Sequence, residues 1–160
     1  LYLIDPAAES ILKFAGGDYE IGPENWTEEA ATEGLEQAVD LYVNGRVYVL
    51  LEDGRILEYY LNALENTLAP QVIPPMESPV AVSPGSDGEY LYIVDENDGR
   101  IARVTVEGQL VQQFLLDGEE ADPKGVLDIS VDESTRIAIL LTEDGLYTIR
   151  LPRPESSSQE

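Results

Sequence analysis

The chain of 160 residues carries 32 Asp and Glu against 9 Lys and Arg, a net charge of −23, with no Cys and no His. That field repels phosphate backbones and anionic lipid surfaces, which argues against nucleic-acid binding and against membrane contact by this segment. The missing residue types exclude disulfides, thiolate nucleophiles, Ser-His-Asp triads and the usual zinc sites, and no apolar run approaches the roughly 18 residues of a membrane-spanning helix.

The chain opens on Leu1-Tyr2-Leu3-Ile4-Asp5, which lacks the basic start and apolar core of a signal peptide and reads as a strand already under way. A second apolar group, Ile11-Leu12-Lys13-Phe14, follows. Residues up to 37 then read as an insertion carrying Tyr19 and Trp26. Within it, Thr27 to Gly34 has the N-cap and C-terminal glycine of a short helix. From Val39 a three-strand pattern sets in. Val39 to Val43 and the turn Asn44-Gly45 lead to Val47 to Leu51, apolar throughout, as a strand buried on both faces should be. The turn Glu52-Asp53-Gly54-Arg55 then leads to Ile56-Leu57-Glu58-Tyr59. Asp-Gly between apolar segments is a strong hairpin signal, because glycine supplies the positive φ of a tight turn.

The same order returns twice. Val80 to Ser83, Leu91 to Asp95, Asn97-Asp98-Gly99-Arg100 and Ile101-Ala102-Arg103-Val104 form one copy. Val126 to Val131, Ile137 to Leu141, Glu143-Asp144-Gly145 and Leu146-Tyr147-Thr148-Ile149 form the next. The segments that follow the hairpin turns begin at 11, 56, 101 and 146, a constant spacing of 45. A fourth, outer strand is clear at Gln109 to Leu116, with a short candidate at Gln71 to Ile73.

Four-stranded units repeating every 40 to 50 residues are the signature of β-propeller blades. The expected fold is all-β: antiparallel four-stranded blades with a period of about 45, forming a partial or four-bladed propeller. The expected division is 1–37 (a partial blade plus insertion), 38–78, 79–122, and 123–152 without its outer strand, with 153–160 a disordered tail. An inner strand is expected to be missing before Leu1 and an outer one after Leu151, as in the C-terminal part of a larger propeller. The run Tyr90-Leu91-Tyr92-Ile93-Val94-Asp95-Glu96-Asn97-Asp98-Gly99-Arg100-Ile101 resembles the repeat of bacterial NHL-like and YncE-like propellers, with looser matches at Leu1 to Asp5 and Arg46 to Leu51. That resemblance implies a propeller within a larger multidomain bacterial protein, with an extracytoplasmic setting favoured.

Few residues point to chemistry. Asp40 and Asp128 sit at equivalent points of the first strand of their blades, with Pro79 as the third equivalent. Convergent carboxylates bind metal or act as acid and base in glycoside chemistry, whereas a repeated position favours accepting backbone N–H groups at a blade corner. Asp95 and Asn97 are spaced like the start of a calcium loop, but Gly99 replaces the third ligand and Val106 the closing Glu, so a hairpin is favoured. Asp117 to Asp122 is a denser acidic loop of the same kind. Trp26, with Tyr19, is a candidate aromatic contact site or a cap on the blade beneath. No cofactor is called for.

The expected function is a non-catalytic scaffold binding a protein or peptide through the loops of one face, with self-association through open blade edges. The alternatives are a hydrolase or lyase with a central-channel site, and a calcium-stabilised adhesion module.

Overall fold

The computed structural model describes residues 1–16, 19–28, 31–116 and 125–152. It contains four antiparallel sheets in chain order. Blade 1 is β1 (Tyr2–Asp5), β2 (Ser10–Lys13) and β3 (Glu24–Asn25). Blade 2 is β4 (Ala38–Val43), β5 (Val47–Leu51), β6 (Ile56–Tyr60) and β7 (Ala63–Leu68). Blade 3 is β8 (Pro79–Pro84), β9 (Tyr90–Asp95), β10 (Arg100–Thr105) and β11 (Leu110–Leu115). Blade 4 is β12 (Val126–Asp132), β13 (Ile137–Thr142) and β14 (Gly145–Arg150). Each strand pairs with its sequence neighbour.

The sheets stand side by side with β4, β8 and β12 as neighbouring inner strands. Gly85 bridges Val131 in parallel across that inner wall, and β1 packs beside β4. The fold is a β-propeller arrangement of blades.

Strand alternation explains the cores. Successive side chains point to opposite faces of a sheet, so a strand inside a stack of blades must be apolar on both. In β5, Val47, Val49 and Leu51 join Ile11, Leu35, Leu57 and Tyr59 in the core between blades 1 and 2. Tyr48 and Leu50 point the other way and meet Val82, Leu91 and Ile93 of blade 3. Tyr92 and Val94 then face Ile129, Val131, Ala138 and Leu140 of blade 4. The two end faces of the arc lack such cover among the described residues: Leu3 is exposed on one, Ile139, Leu141 and Leu146 on the other.

The inner hairpins form as the sequence predicts, and glycine is needed where expected. Gly54 and Gly99 hold φ of 82° and 57°, and a Cβ on Gly54 would come within 3.3 Å of the Met76 sulfur. Three expectations are corrected. Glu24–Asn25, read as insertion, is a short outer strand pairing with Leu12 and Lys13. The outer strand of blade 2 is Ala63–Leu68, and Gln71 to Ile73 is not a strand. Thr27 to Gly34 shows no α-helix among its described residues: Ala31 lies in a 3-10 turn, a second 3-10 turn, Leu35–Gln37, follows, and 29–30 lie outside the described residues. The acidic loop Asp117 to Asp122 and the tail 153–160 also lie outside them.

Candidate functional site

In blades 2, 3 and 4 the residue after the second strand donates its N–H to the residue before the first strand. Glu52 donates to Gln37 O (2.8 Å), Glu96 to Ser78 O (2.9 Å) and Glu143 to Gly125 O (3.1 Å). The equivalent bonds place three glutamates at equivalent points on the loop face formed by the β5–β6, β9–β10 and β13–β14 turns. In blade 1 the equivalent position is Pro6.

Between blades 2 and 3 the loop face is concave. A cleft of about 520 Å³ is lined by Glu77, Ser78, Glu96 and Asn97. A second, of about 480 Å³, is lined by Val39, Glu52, Glu77, Ser78, Pro79 and Val80. Sharing Glu77 and Ser78, they form one mainly polar groove with three carboxylates and an apolar stretch at Val39, Pro79 and Val80. The groove is partly organised in advance: Asn97 donates to Glu77 Oε2, and Gly125 N donates to Glu96 Oε1.

The carboxylates singled out in the sequence are engaged by the fold. Asp40 Oδ1 accepts from Leu41 N and Oδ2 from Val82 N, both at 2.7 Å, tying blade 2 to the inner strand of blade 3. Burial pushes its carboxyl above the usual range; the two backbone bonds oppose this and the charge of Asp128 adds to it. Asp128 accepts from Ile129 N at 2.7 Å and is exposed. The registers of β4, β8 and β12 correct the third equivalent. Asp40 pairs with Leu50, Asp128 with Leu141, and Ala81 with Val94, so the matching residue is Ala81 and not Pro79. The same bulge recurs in all three strands, and the turns to the second strand, 44–46, 85–89 and 133–136, differ in length, which hides the equivalence in the sequence.

Asp95 is fully buried. Its oxygens accept from Ser78 N (2.9 Å), Glu77 N (3.3 Å) and the Arg100 guanidinium (2.9 and 3.2 Å), while Asn97 is exposed. Among the described residues no three acids are grouped to hold a metal ion. Trp26 is half-buried, edge-on to Tyr2 at 5.4 Å and 6.2 Å from Tyr59. It lines a cavity of about 450 Å³ with Lys13, Glu24, Asn25, Leu61 and Asn62. Tyr19 lies against Phe14 at 6.2 Å and is 60% exposed. The structure therefore seats these two aromatics against different partners. Sequence reasoning missed Glu52, Glu77 and Glu96. For Glu52 and Glu96 the available signal was a Glu directly after the apolar second strand, shared with Glu143; Glu77 had no such signal.

No family model and no curated protein matches the chain. Solved structures do resemble it. Streptogramin B lyase superposes with a TM-score of 0.53 at 17% identity, covering 97% of this chain and 55% of that one. PorZ, a surface component of the type-IX secretion system of Porphyromonas gingivalis, gives 0.53 at 18%, covering 94% and 18%. An Hsv2 protein whose loop 6CD is replaced by a Gly-Ser linker gives 0.51 at 15%, covering 73% and 36%. The chain thus spans about half the length of the lyase and less of the others. At these identities the shared property is the β-propeller fold.

Proposed function

We propose that this β-propeller is a non-catalytic interaction module that holds a cationic segment of a partner protein in the loop-face groove between blades 2 and 3. One observation carries the reading. Asp40 and Asp95 engage both oxygens with backbone N–H groups and Arg100, whereas Glu52, Glu77 and Glu96 line an open concave surface. On that surface Glu77 and Glu96 each commit one oxygen, to Asn97 and Gly125 N, among the described residues. Loops held on a rigid scaffold are where binding residues concentrate, and a field of this sign speeds encounter with cations. The NHL-like repeat type, supported by the run from Tyr90 to Ile101, fits a binding domain within a larger bacterial protein. Self-association through the end faces is supported by the exposure of Leu3, Ile139, Leu141 and Leu146.

Calorimetry with a lysine-rich peptide tests the groove. The triple variant Glu52→Gln, Glu77→Gln, Glu96→Gln is compared with Glu65→Gln, Glu89→Gln, Glu107→Gln, which changes net charge equally away from the groove. The first should bind at least tenfold more weakly than the parent, the second within twofold. Equal losses would reduce the effect to overall charge and defeat the reading. A second reading, a hydrolase or lyase with a channel site, is favoured by one observation, the equivalent register of Asp40 and Asp128, opposite Leu50 and Leu141, on the inner strands β4 and β12.

A further inference from the structure

β11 is an outer strand of a different character from its counterpart β7. In β7, Glu65 is exposed and bound to Arg46 at 2.7 Å. Natural sheets protect their edges with such charges. β11, Leu110-Val111-Gln112-Gln113-Phe114-Leu115, carries no charge in a chain of net −23. Among the described residues it pairs only with β10. Leu116 N donates to Gly99 O at 2.7 Å, so the alternation of an antiparallel ladder turns the backbone groups of Gln113 and Leu115 outward.

A preformed pocket adjoins that edge. A cavity of about 440 Å³ is lined by Ile73, Pro74, Asp98, Arg100, Gln113 and Leu115, with Ile73 77% and Leu115 68% exposed. Its walls are fixed by buried Arg100, which donates to Gln113 Oε1 (2.8 Å) and Pro75 O (2.9 Å). Gln113 Nε2 in turn donates to Ile73 O at 2.7 Å. The pocket thus offers an apolar rim, the exposed Asp98 carboxylate, which already meets Arg100 at 3.1 Å, and the outward backbone groups of Gln113 and Leu115, unpaired among the described residues.

We propose that β11 is a docking edge for an extended segment of a partner protein with alternating apolar and basic side chains. The segment adds as a fifth strand of blade 3. Its backbone bonds to Gln113 and Leu115, one apolar side chain enters between Ile73 and Leu115, and a neighbouring basic group meets Asp98. The net charge of −23 selects the basic partner. This surface lies on the outer side of the β9–β10 turn, whereas the groove of Glu77 and Glu96 lies on its inner side, and the inference does not depend on that groove.

The test uses a capped hexapeptide of alternating valine and lysine, and the same peptide N-methylated at every residue, which keeps charge and apolarity but cannot donate along a strand. Binding to the isotope-labelled chain is followed by amide shifts. The plain peptide should shift Val111, Gln113 and Leu115 and bind at least tenfold more tightly than the methylated one. Leu115→Lys and Val111→Lys, both at exposed positions, should each weaken it by tenfold or more. Absent binding, equal affinities, or shifts confined to Glu52, Glu77 and Glu96 would overturn the proposal. So would a dimer of the chain alone with its β11 amides already protected, which would make a second copy the occupant. The first three leave the groove reading to stand or fall on its own variants.

Discussion

Arg100 and Arg103 lie three residues apart on β10, both fully buried, and the fold accommodates them in opposite ways. Arg100 faces the loop end of blade 3 and is surrounded by acceptors: Asp95 at 2.9 Å, Asp98 at 3.1 Å, Gln113 and Pro75 O. Arg103 faces blade 4 and is surrounded by rings. Its guanidinium lies 5.3 Å from Tyr90, 5.2 Å from Tyr92 and 5.3 Å from Phe114. Its Nε donates to Tyr92 Oη at 2.7 Å, Tyr92 Oη donates to Glu133, and the other two nitrogens have no hydrogen-bond partner among the described residues. The nearest carboxylate, Glu133, is 3.5 Å away, too far for a hydrogen bond. Burial accordingly pushes the Arg103 guanidinium below its usual range. The contrast teaches that one sheet holds a buried cation either by saturating it with acceptors or by laying it against aromatic faces. The first arrangement depends on every partner, and the second on shape.

That difference is easily broken. Asp95→Ala strands Arg100 without its main counter-charge and frees Glu77 N and Ser78 N, so it should cost about 3–5 kcal/mol in denaturant unfolding. Tyr59→Phe sharpens the comparison from a neutral site. Tyr59 Oη donates to Ala31 O at 2.8 Å in the core between blades 1 and 2, and its loss should cost about 1–2 kcal/mol. Arg103→Met should stay within about 1 kcal/mol of the parent, because an apolar side chain of similar length fits the rings. A loss as large as that of Asp95→Ala would show that the ring-lined site depends on charge pairing after all.

The smallest effect concerns Asp40. Its carboxyl is raised in the folded state above the ordinary 3.8, chiefly by burial, so the folded chain binds the proton more tightly than the unfolded chain. Its contribution to stability therefore falls as pH rises from the unfolded value through the folded one, and recovers as pH is lowered. Asp40→Asn should flatten the stability curve over that window. An unchanged curve would place the pH response elsewhere.

The blade interiors were legible because of geometry. Strands such as Val47–Leu51 are covered on both faces, so they read as unbroken apolar runs, and the turns between them need glycine at Gly54 and Gly99. Outer strands were not. Glu65, Asn66 and Thr67 of β7 are exposed, and the turn before it uses Leu61 and Asn62 at positive φ where glycine would have signalled it. β3 has two residues, both polar and exposed. The candidate site was half visible. Asp40 and Asp128 stood out by repetition, yet turns of unequal length after the first strands concealed that Ala81 is their third equivalent. Glu52, Glu77 and Glu96 were lost among 32 acidic residues, because which acids share a groove is set by blade packing and not by local pattern.

The most direct test of the interaction reading is an amide-shift map of the labelled chain during titration with a lysine-rich peptide. The account predicts saturable shifts centred on Glu52, Glu77, Ser78, Glu96 and Asn97. Shifts spread evenly over the acidic surface, or centred on Asp40 and Asp128 in the inner wall, would contradict it.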